Sequence, residues 1–343
     1  MTFYQKIPKI ELHLHLEGAI PLRSLWELIQ KYGGDPDIDS FRDLKKKFVY
    51  QDFDHFIETW IWKNQFLREY EDFKFIAEHV ARNLLYQNIR YAEVFASPSS
   101  FQQYGLKTQD IIFAIHEGFM RVKEIKIRLI IDLVRNYGPE QEMKTLSEIN
   151  EVKQFDIIGI GIGGSENLYP PEPFSRLYEK ARALGFKTTA HAGEAAGPES
   201  IRSALFTLKA DRIGHATRSA EDVRLLEYMS ENHIPLELCP LSNLKTGVIT
   251  DYKDYPIRTF IDYGIPFSIN TDDPMMFGNS LAEEYEMLER NFDFSKQDIA
   301  GFILNSIQTT WLSEDEKSYL TKQFQDEILL LIDNQKSDRH KEE

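Results

Sequence analysis

Residues 10–18 read Ile10-Glu11-Leu12-His13-Leu14-His15-Leu16-Glu17-Gly18. On a β-strand, side chains two apart share a face, so His13 and His15 project one way and Leu12, Leu14 and Leu16 the other. Paired imidazoles inside a packed sheet need partners. Either one divalent metal or hydrogen bonding within the core would satisfy them. Seven more runs, most rich in Val, Ile and Phe, follow this one. Strands are predicted at 10–16, 90–95, 127–133, 155–162, 187–191, 212–217, 235–239 and 266–270. Amphipathic stretches at 175–184, 200–208, 220–231 and 255–263 lie between them. Eight apolar strands alternating with helices predict an α/β fold, a closed (β/α)8 TIM barrel in preference to an open sheet.

The chain has no internal repeat, low-complexity tract or Gly/Ser linker, so 1–343 reads as one barrel domain. Segment 35–88 is too long for one crossover and places Phe53, Phe56, Ile57, Trp60, Trp62 and Phe66 at helical spacings. It reads as extra helices forming a lid over the C-terminal mouth, with Phe56 and Trp60 as candidate pocket walls. The plainer alternative is that these aromatics pack the outer helical layer. The charged residues 336–343 are expected to fray.

Three further predicted strands carry polar residues at their C-terminal ends, where a barrel gathers its catalytic groups. They are Thr188-Thr189-Ala190-His191-Ala192-Gly193-Glu194, Arg212-Ile213-Gly214-His215 and Ser268-Ile269-Asn270-Thr271-Asp272-Asp273-Pro274. Each admits an ordinary account. The histidines could be satisfied core residues, Glu194 a helix N-terminal acid, and one Asp a cap before Pro274. Taken together, four of the nine histidines and an adjacent Asp pair fall on four strand tips. The other five, His55, His79, His116, His233 and His340, fall on predicted helices or in the tail.

Composition narrows the partners. Forty basic against 55 acidic residues leave a net charge of −15, which disfavours nucleic acid and anionic lipid. No apolar run reaches the roughly 18–20 residues of a membrane span. Lys6, Lys9 and Glu11 interrupt any signal-peptide core, and a single Cys239 excludes internal disulfides and cysteine-paired zinc sites. The expected partner is therefore a small molecule and the expected compartment the cytoplasm. Gly159-Ile160-Gly161-Ile162-Gly163-Gly164 spells a dinucleotide fingerprint, yet Tyr169-Pro170-Pro171-Glu172-Pro173 prevents the helix that a pyrophosphate needs. Nicotinamide and flavin are rejected, and the glycines read as a place where a ligand approaches bare backbone.

His13, His15 and His191 with one strand-end carboxylate form an N3O set suited to zinc, Zn2+. Zinc lowers the pKa of bound water from about 15.7 towards about 7, equivalent to about 12 kcal/mol. His215 and Asp273 then read as groups that hold the resulting hydroxide, and Glu194 as the acid that protonates the substrate. Residues 155–164 carry no Lys, Glu or His to bridge a second metal, so one ion per chain is expected.

His13-x-His15, His191-Ala192-Gly193-Glu194, Gly214-His215 and Thr271-Asp272-Asp273-Pro274 resemble, in order, the motif set of the adenosine/adenine deaminase family of the amidohydrolase superfamily. The resemblance spans residues 7 to about 325 and extends to Cys239-Pro240-Leu241-Ser242-Asn243 and the segment 312–317. It implies that His13, His15, His191 and Asp272 bind zinc and that Glu194 protonates the purine nitrogen beside the reacting carbon. His215 and Asp273 would steer hydroxide onto that carbon, and Gly164 would offer a backbone N–H to the purine. Ammonia would leave, and a 6-oxo purine would remain.

Two positions depart from the adenosine branch. Glu17 stands where many adenosine deaminases carry Asp against the ribose 5′-hydroxyl, and Ser165 where an acid is often found. Glu17 is similar to the adenine branch and to enzymes acting on larger nucleosides such as aminodeoxyfutalosine, whereas the segment 270–277 looks more like the adenosine branch. The reading favours adenosine or deoxyadenosine, with adenine or a larger adenine nucleoside as the alternative. A two-metal amide or phosphoester hydrolase and a non-catalytic nucleoside-binding barrel are the more distant readings.

Overall fold

Each apolar run forms a strand in the computed structural model, which describes residues 1–50 and 53–342. The strands are β1 (Lys9–His15), β2 (Ile89–Ala96), β3 (Lys126–Val134), β4 (Ile157–Gly163), β5 (Lys187–Ala192), β6 (Arg212–His215), β7 (Leu236–Leu238) and β8 (Phe267–Ile269). All pair in parallel and in sequential order. β1 is buried along its whole length, as expected of a strand covered by helices outside and side chains inside. Among the described residues, no helix is long and apolar enough to cross a membrane.

β8 meets β1 through single contacts instead of a ladder. Leu14 and Asp272 form an isolated bridge. The His15 N–H donates to Asp272 O at 2.9 Å, and the Asp272 N–H donates to His13 O at 3.0 Å. Asn270 Oδ1 accepts the Leu12 N–H at 2.9 Å, and the Glu11 carboxylate accepts the Thr271 N–H at 2.9 Å and its hydroxyl at 3.2 Å. The seam that closes the barrel is therefore the one that carries His13 and His15 to Asp272.

The glycine run on β4 has a packing cause. A Cβ at Gly159 would lie 2.6 Å from the Trp311 ring, at Gly161 2.7 Å from the Phe95 ring, and at Gly163 2.6 Å from Asp132 Oδ2. These three glycines make room inside the barrel for neighbouring side chains rather than for a ligand. Two strand boundaries also move by two residues. β4 begins after Asp156, and β6 ends at His215, because Asp156, His215 and Ala216 take left-handed backbone with φ of 61°, 62° and 53°.

Segment 35–88 divides. The helix Tyr70–Tyr86 buries Phe73, Ile76, Ala77, Val80, Ala81 and Leu84 along one stripe and packs on β2 and on the helix Thr108–Phe119. It belongs to the outer layer of the barrel and not to a lid. The helix Phe53–Asn64 lies against the end of β1, with Trp60 beside His15 and Lys63 on the turn at Glu17; the side chains of Phe53 and Ile57 lie outside the described residues. The last helix, Glu314–Glu342, runs on through 336–342, so the backbone there is helical where fraying was expected.

Candidate active site

The tips of β1, β5 and β8 converge. His13 Nε2 and His15 Nε2 each lie 3.1 Å from His191 Nε2, and Asp272 Oδ1 lies 3.5 Å from His13 Nε2 and 3.4 Å from His15 Nε2. All four ligand atoms fall within 4.8 Å of one another. Tetrahedral donors about 2.0–2.1 Å from an ion would stand about 3.3–3.4 Å apart, so the spacing fits a zinc-sized centre. The other ring nitrogens of His13 and His191 are committed elsewhere. His13 Nδ1–H donates to Glu237 Oε2 at 2.8 Å, and His191 Nδ1–H to Ile162 O at 3.1 Å, which turns both Nε2 lone pairs inward. Asp272 holds a left-handed backbone, φ 62°, and its Oδ2 accepts the Ser242 hydroxyl at 2.6 Å.

Charge favours a cation at the centre. Burial lowers the His15 pKa to about 3 and holds that of His191 well below the ordinary range, so both are neutral donors. Burial opposes protonation of His13 as well, but Asp272 and Glu237 outweigh it and push its pKa up to about 10. Burial would raise Asp272, yet the His13 hydrogen bond and the surrounding imidazoles hold it well below the usual carboxylate range. The positive charge between Asp272 and Glu237 is thus carried by a proton on His13, and a metal ion bound at His13 Nε2 would take that proton's place.

The proton-handling candidates ring this cluster. Glu194 Oε2 lies 3.6 Å from His215 Nε2. Burial, with Asp272 and Glu166 adding repulsion, raises the Glu194 pKa and favours its protonated form. Asn243 Oδ1 accepts the Thr217 hydroxyl at 2.8 Å, so Asn243 Nδ2 donates to His215 Nδ1 at 3.1 Å. That leaves His215 Nε2–H facing Glu194. Asp273 is raised by burial and by Asp272, and its Oδ1 is buried with no hydrogen-bond partner among the described residues. A Cβ at Gly18 would overlap Asp273 Oδ1, so only glycine fits there.

The helix Phe53–Asn64 brings its aromatics to the mouth. Trp60 stands edge-on to His15 with centroids 6.4 Å apart, and Phe56 stacks on Phe277 at 5.2 Å. Lys63 Nζ donates to Glu17 O at 2.7 Å, tying this helix to the turn after β1. Gly164 follows β4 with φ 97°, and a Cβ there would lie 2.4 Å from Asn136 Oδ1.

Sequence reasoning missed Asp132, Glu237, Asn243 and Glu166. Glu237 interrupts Leu236 and Leu238, and Asp132 interrupts Ile131 and Leu133. The criterion of a polar residue in an apolar strand flags both, but they sit within their strands and not at the tips. Glu166 lies in the loop after β4, and its carboxylate accepts N–H groups from Gly193, Glu194, Ala195 and Ala196 at 2.7, 3.2, 2.7 and 2.9 Å. Nothing local in the sequence marks that role.

The sequence model of the family described as adenosine deaminase matches residues 8–327. The chain is 32% identical over 322 residues to aminodeoxyfutalosine deaminase of Streptomyces avermitilis, covering 92% of this chain and 90% of that protein. It is 31% identical over 314 residues to adenine deaminase of Acinetobacter baylyi, covering 91% and 94%. Among solved structures, an amidohydrolase from Burkholderia ambifaria with bound Zn superposes with a TM-score of 0.88 at 26% identity, covering 97% of this chain and 93% of that one.

Proposed function

Since the chain belongs to the adenosine deaminase family, we propose that it is a zinc-dependent aminohydrolase that converts a 6-aminopurine and water to the 6-oxo purine and ammonia. The observation that carries this reading is the approach of the His13, His15, His191 and Asp272 donor atoms to within 4.8 Å, with Glu194 and His215 beside them. These four residues would hold the ion. Bound there, zinc supplies a nucleophile from water at neutral pH.

The remaining steps belong to side chains. Glu194, with its raised pKa, delivers a proton to the ring nitrogen next to the amino-bearing carbon, so that electrons can move onto nitrogen as the C–O bond forms. His215 and Asp273 orient the attacking water and return the proton that ammonia needs to leave. Gly164 offers its backbone N–H to the purine edge, while Phe56 and Trp60 exclude water from one side. Glu17 meets the substrate's substituent. We read the substrate as adenosine or deoxyadenosine. The names of the two curated relatives keep adenine and aminodeoxyfutalosine as alternatives. The buried, single Cys239 suits a cytoplasmic enzyme.

The test is an ultraviolet screen of adenine, adenosine, deoxyadenosine and larger adenine nucleosides with the zinc-loaded protein, read by the shift of the purine band and by ammonia release. A folded, metal-loaded sample that deaminates none of them would overturn the reading.

A further inference from the structure

Val134-Arg135-Asn136 ends an apolar strand with a charge that the chemistry above does not use. Arg135 follows β3 and is 0% exposed. Its donors go to backbone carbonyls on three other stretches of chain. Nη2 donates to His191 O, on β5, at 2.7 Å and to Ile162 O, on β4, at 3.4 Å, while Nη1 donates to Tyr169 O at 3.1 Å. Nε is buried with no hydrogen-bond partner among the described residues. Burying a guanidinium is costly, and a neutral side chain of similar length would fill the space without that cost. What the guanidinium adds is its hold on these three carbonyls.

Two of those carbonyls lie where the barrel wall parts. β4 and β5 pair at Gly159–Lys187 and Ile160–Thr188 and, among the described residues, not beyond. Their other neighbours stay paired up to the mouth, β4 with β3 through Gly163–Val134 and β5 with β6 through Ala192–His215. Side chains join the ends of β4 and β5 instead. The His191 Nδ1–H reaches Ile162 O at 3.1 Å, and Arg135 Nη2 links that same carbonyl to His191 O. A planar guanidinium fixes the direction of several carbonyls at once, which a point-like ammonium does not. The loop after β4 is held from the same side. Asn136 Oδ1 accepts the Ser165 N–H at 2.9 Å, and a Cβ at Gly164 would lie 3.3 Å from Arg135 Cγ. Arg135 and Asn136 therefore grip segment 165–169 at both ends.

We infer that Arg135 is a positioning residue, which locks the end of β5 to the end of β4 and so sets both the reach of His191 Nε2 towards the ion and the place of the Gly164 N–H. It acts through the backbone of His191 and Gly164 and not by contact with substrate. What those two groups do rests on the zinc deaminase reading.

The experiment compares wild type with Arg135→Met, Arg135→Lys and, as a control, Tyr178→Phe. The Tyr178 hydroxyl donates to Thr189 O at 2.7 Å, so its loss loosens β5 without opening the junction with β4. Zinc affinity is measured by competition with a chromogenic chelator, ion geometry by the visible spectrum of the Co2+-loaded protein, and KM on adenosine at saturating zinc. Arg135→Met should weaken zinc about tenfold to a hundredfold, shift the cobalt bands and raise KM about threefold to tenfold. Arg135→Lys should recover part of the loss. Tyr178→Phe should lower the melting temperature with zinc affinity within about twofold of wild type. Wild-type zinc affinity and cobalt bands in Arg135→Met would overturn the role at His191, and a wild-type KM the role at Gly164. An equal loss of zinc affinity in Tyr178→Phe would overturn the inference as well, since any loosening of β5 would then suffice. If Arg135→Met does not fold, Arg135→Lys is read against wild type by the same criteria. A zinc-loaded wild type that deaminates no 6-aminopurine would refute the deaminase reading instead, and the zinc and cobalt measurements would still test Arg135.

Discussion

Glu237 Oε2 accepts a hydrogen bond from His13 Nδ1 at 2.8 Å, while Glu237 Oε1 pairs with Arg212 Nε at 2.7 Å. Arg212 continues the chain, pairing with Glu93 Oε2 at 2.6 Å and resting its guanidinium 3.6 Å from the centroid of the Trp311 ring. One imidazole at the barrel mouth is thus oriented by buried ions that run towards the other end of the strands. Burial would raise the Glu237 pKa, but Arg212 and His13 outweigh it and keep the carboxylate ionised. An ionised Glu237 fixes the proton on His13 Nδ1 and presents Nε2 to an ion.

Glu237→Gln should therefore weaken zinc binding about tenfold to a hundredfold, measured by competition with a chromogenic chelator. Unchanged affinity would show that Glu237 has no part in orienting His13. Glu237→Ala also takes from the buried Arg212 one of its two carboxylate partners, leaving Glu93, and should cost about 1–3 kcal/mol of stability, read from chemical denaturation.

Glu194 and Asp272 should separate chemistry from metal. Glu194→Gln removes a proton donor and should lower kcat by at least about 10²–10⁴-fold while zinc, assayed by atomic absorption, stays near one per chain. Asp272→Ala removes a proposed ligand and should lose both; full zinc occupancy in that variant would take Asp272 out of the set.

Glu166 acts at one remove. Four loop N–H groups converge on its carboxylate, and one of them belongs to Glu194. Glu166→Gln keeps the shape but replaces one acceptor oxygen with a donor, which should loosen the loop and reduce kcat about tenfold or more with KM and zinc content little changed. A change confined to KM would argue against this positioning role.

Glu142 supplies a pH test away from the metal cluster. Burial pushes its pKa from 4.5 up to about 7, against hydrogen bonds that include the Val134 N–H at 3.2 Å. The folded state then binds more protons than the unfolded one between those values. Its contribution to stability is full below about 4.5 and is lost as pH rises through about 7. The melting temperature of wild type relative to Glu142→Gln should fall between pH 5 and pH 8; a difference independent of pH would show that Glu142 is ionised throughout.

The barrel and its histidine tips were legible because strand alternation and strand-end polarity are local properties. His13 and His15 declare a shared face by spacing alone, and the apolar runs around His191 and His215 mark strand ends within a few residues. Segment 35–88 was less legible. Tyr70–Tyr86 has the same aromatic, helical spacing as Phe53–Asn64, and only packing against the helix Thr108–Phe119 assigns it to the outer layer. The glycine run on β4 could not be explained from its own residues, since the side chains that need the space, Trp311, Phe95 and Asp132, come from other elements.

Residue type and period thus told which strands exist and which imidazoles face inward. They could not tell that Glu237 meets His13, 224 positions away, or that Arg135 reaches the carbonyl of His191. Those meetings depend on how far each strand is staggered around the closed sheet and on how deep a side chain reaches into its interior. No segment of chain carries that information, because it is a property of all eight strands at once.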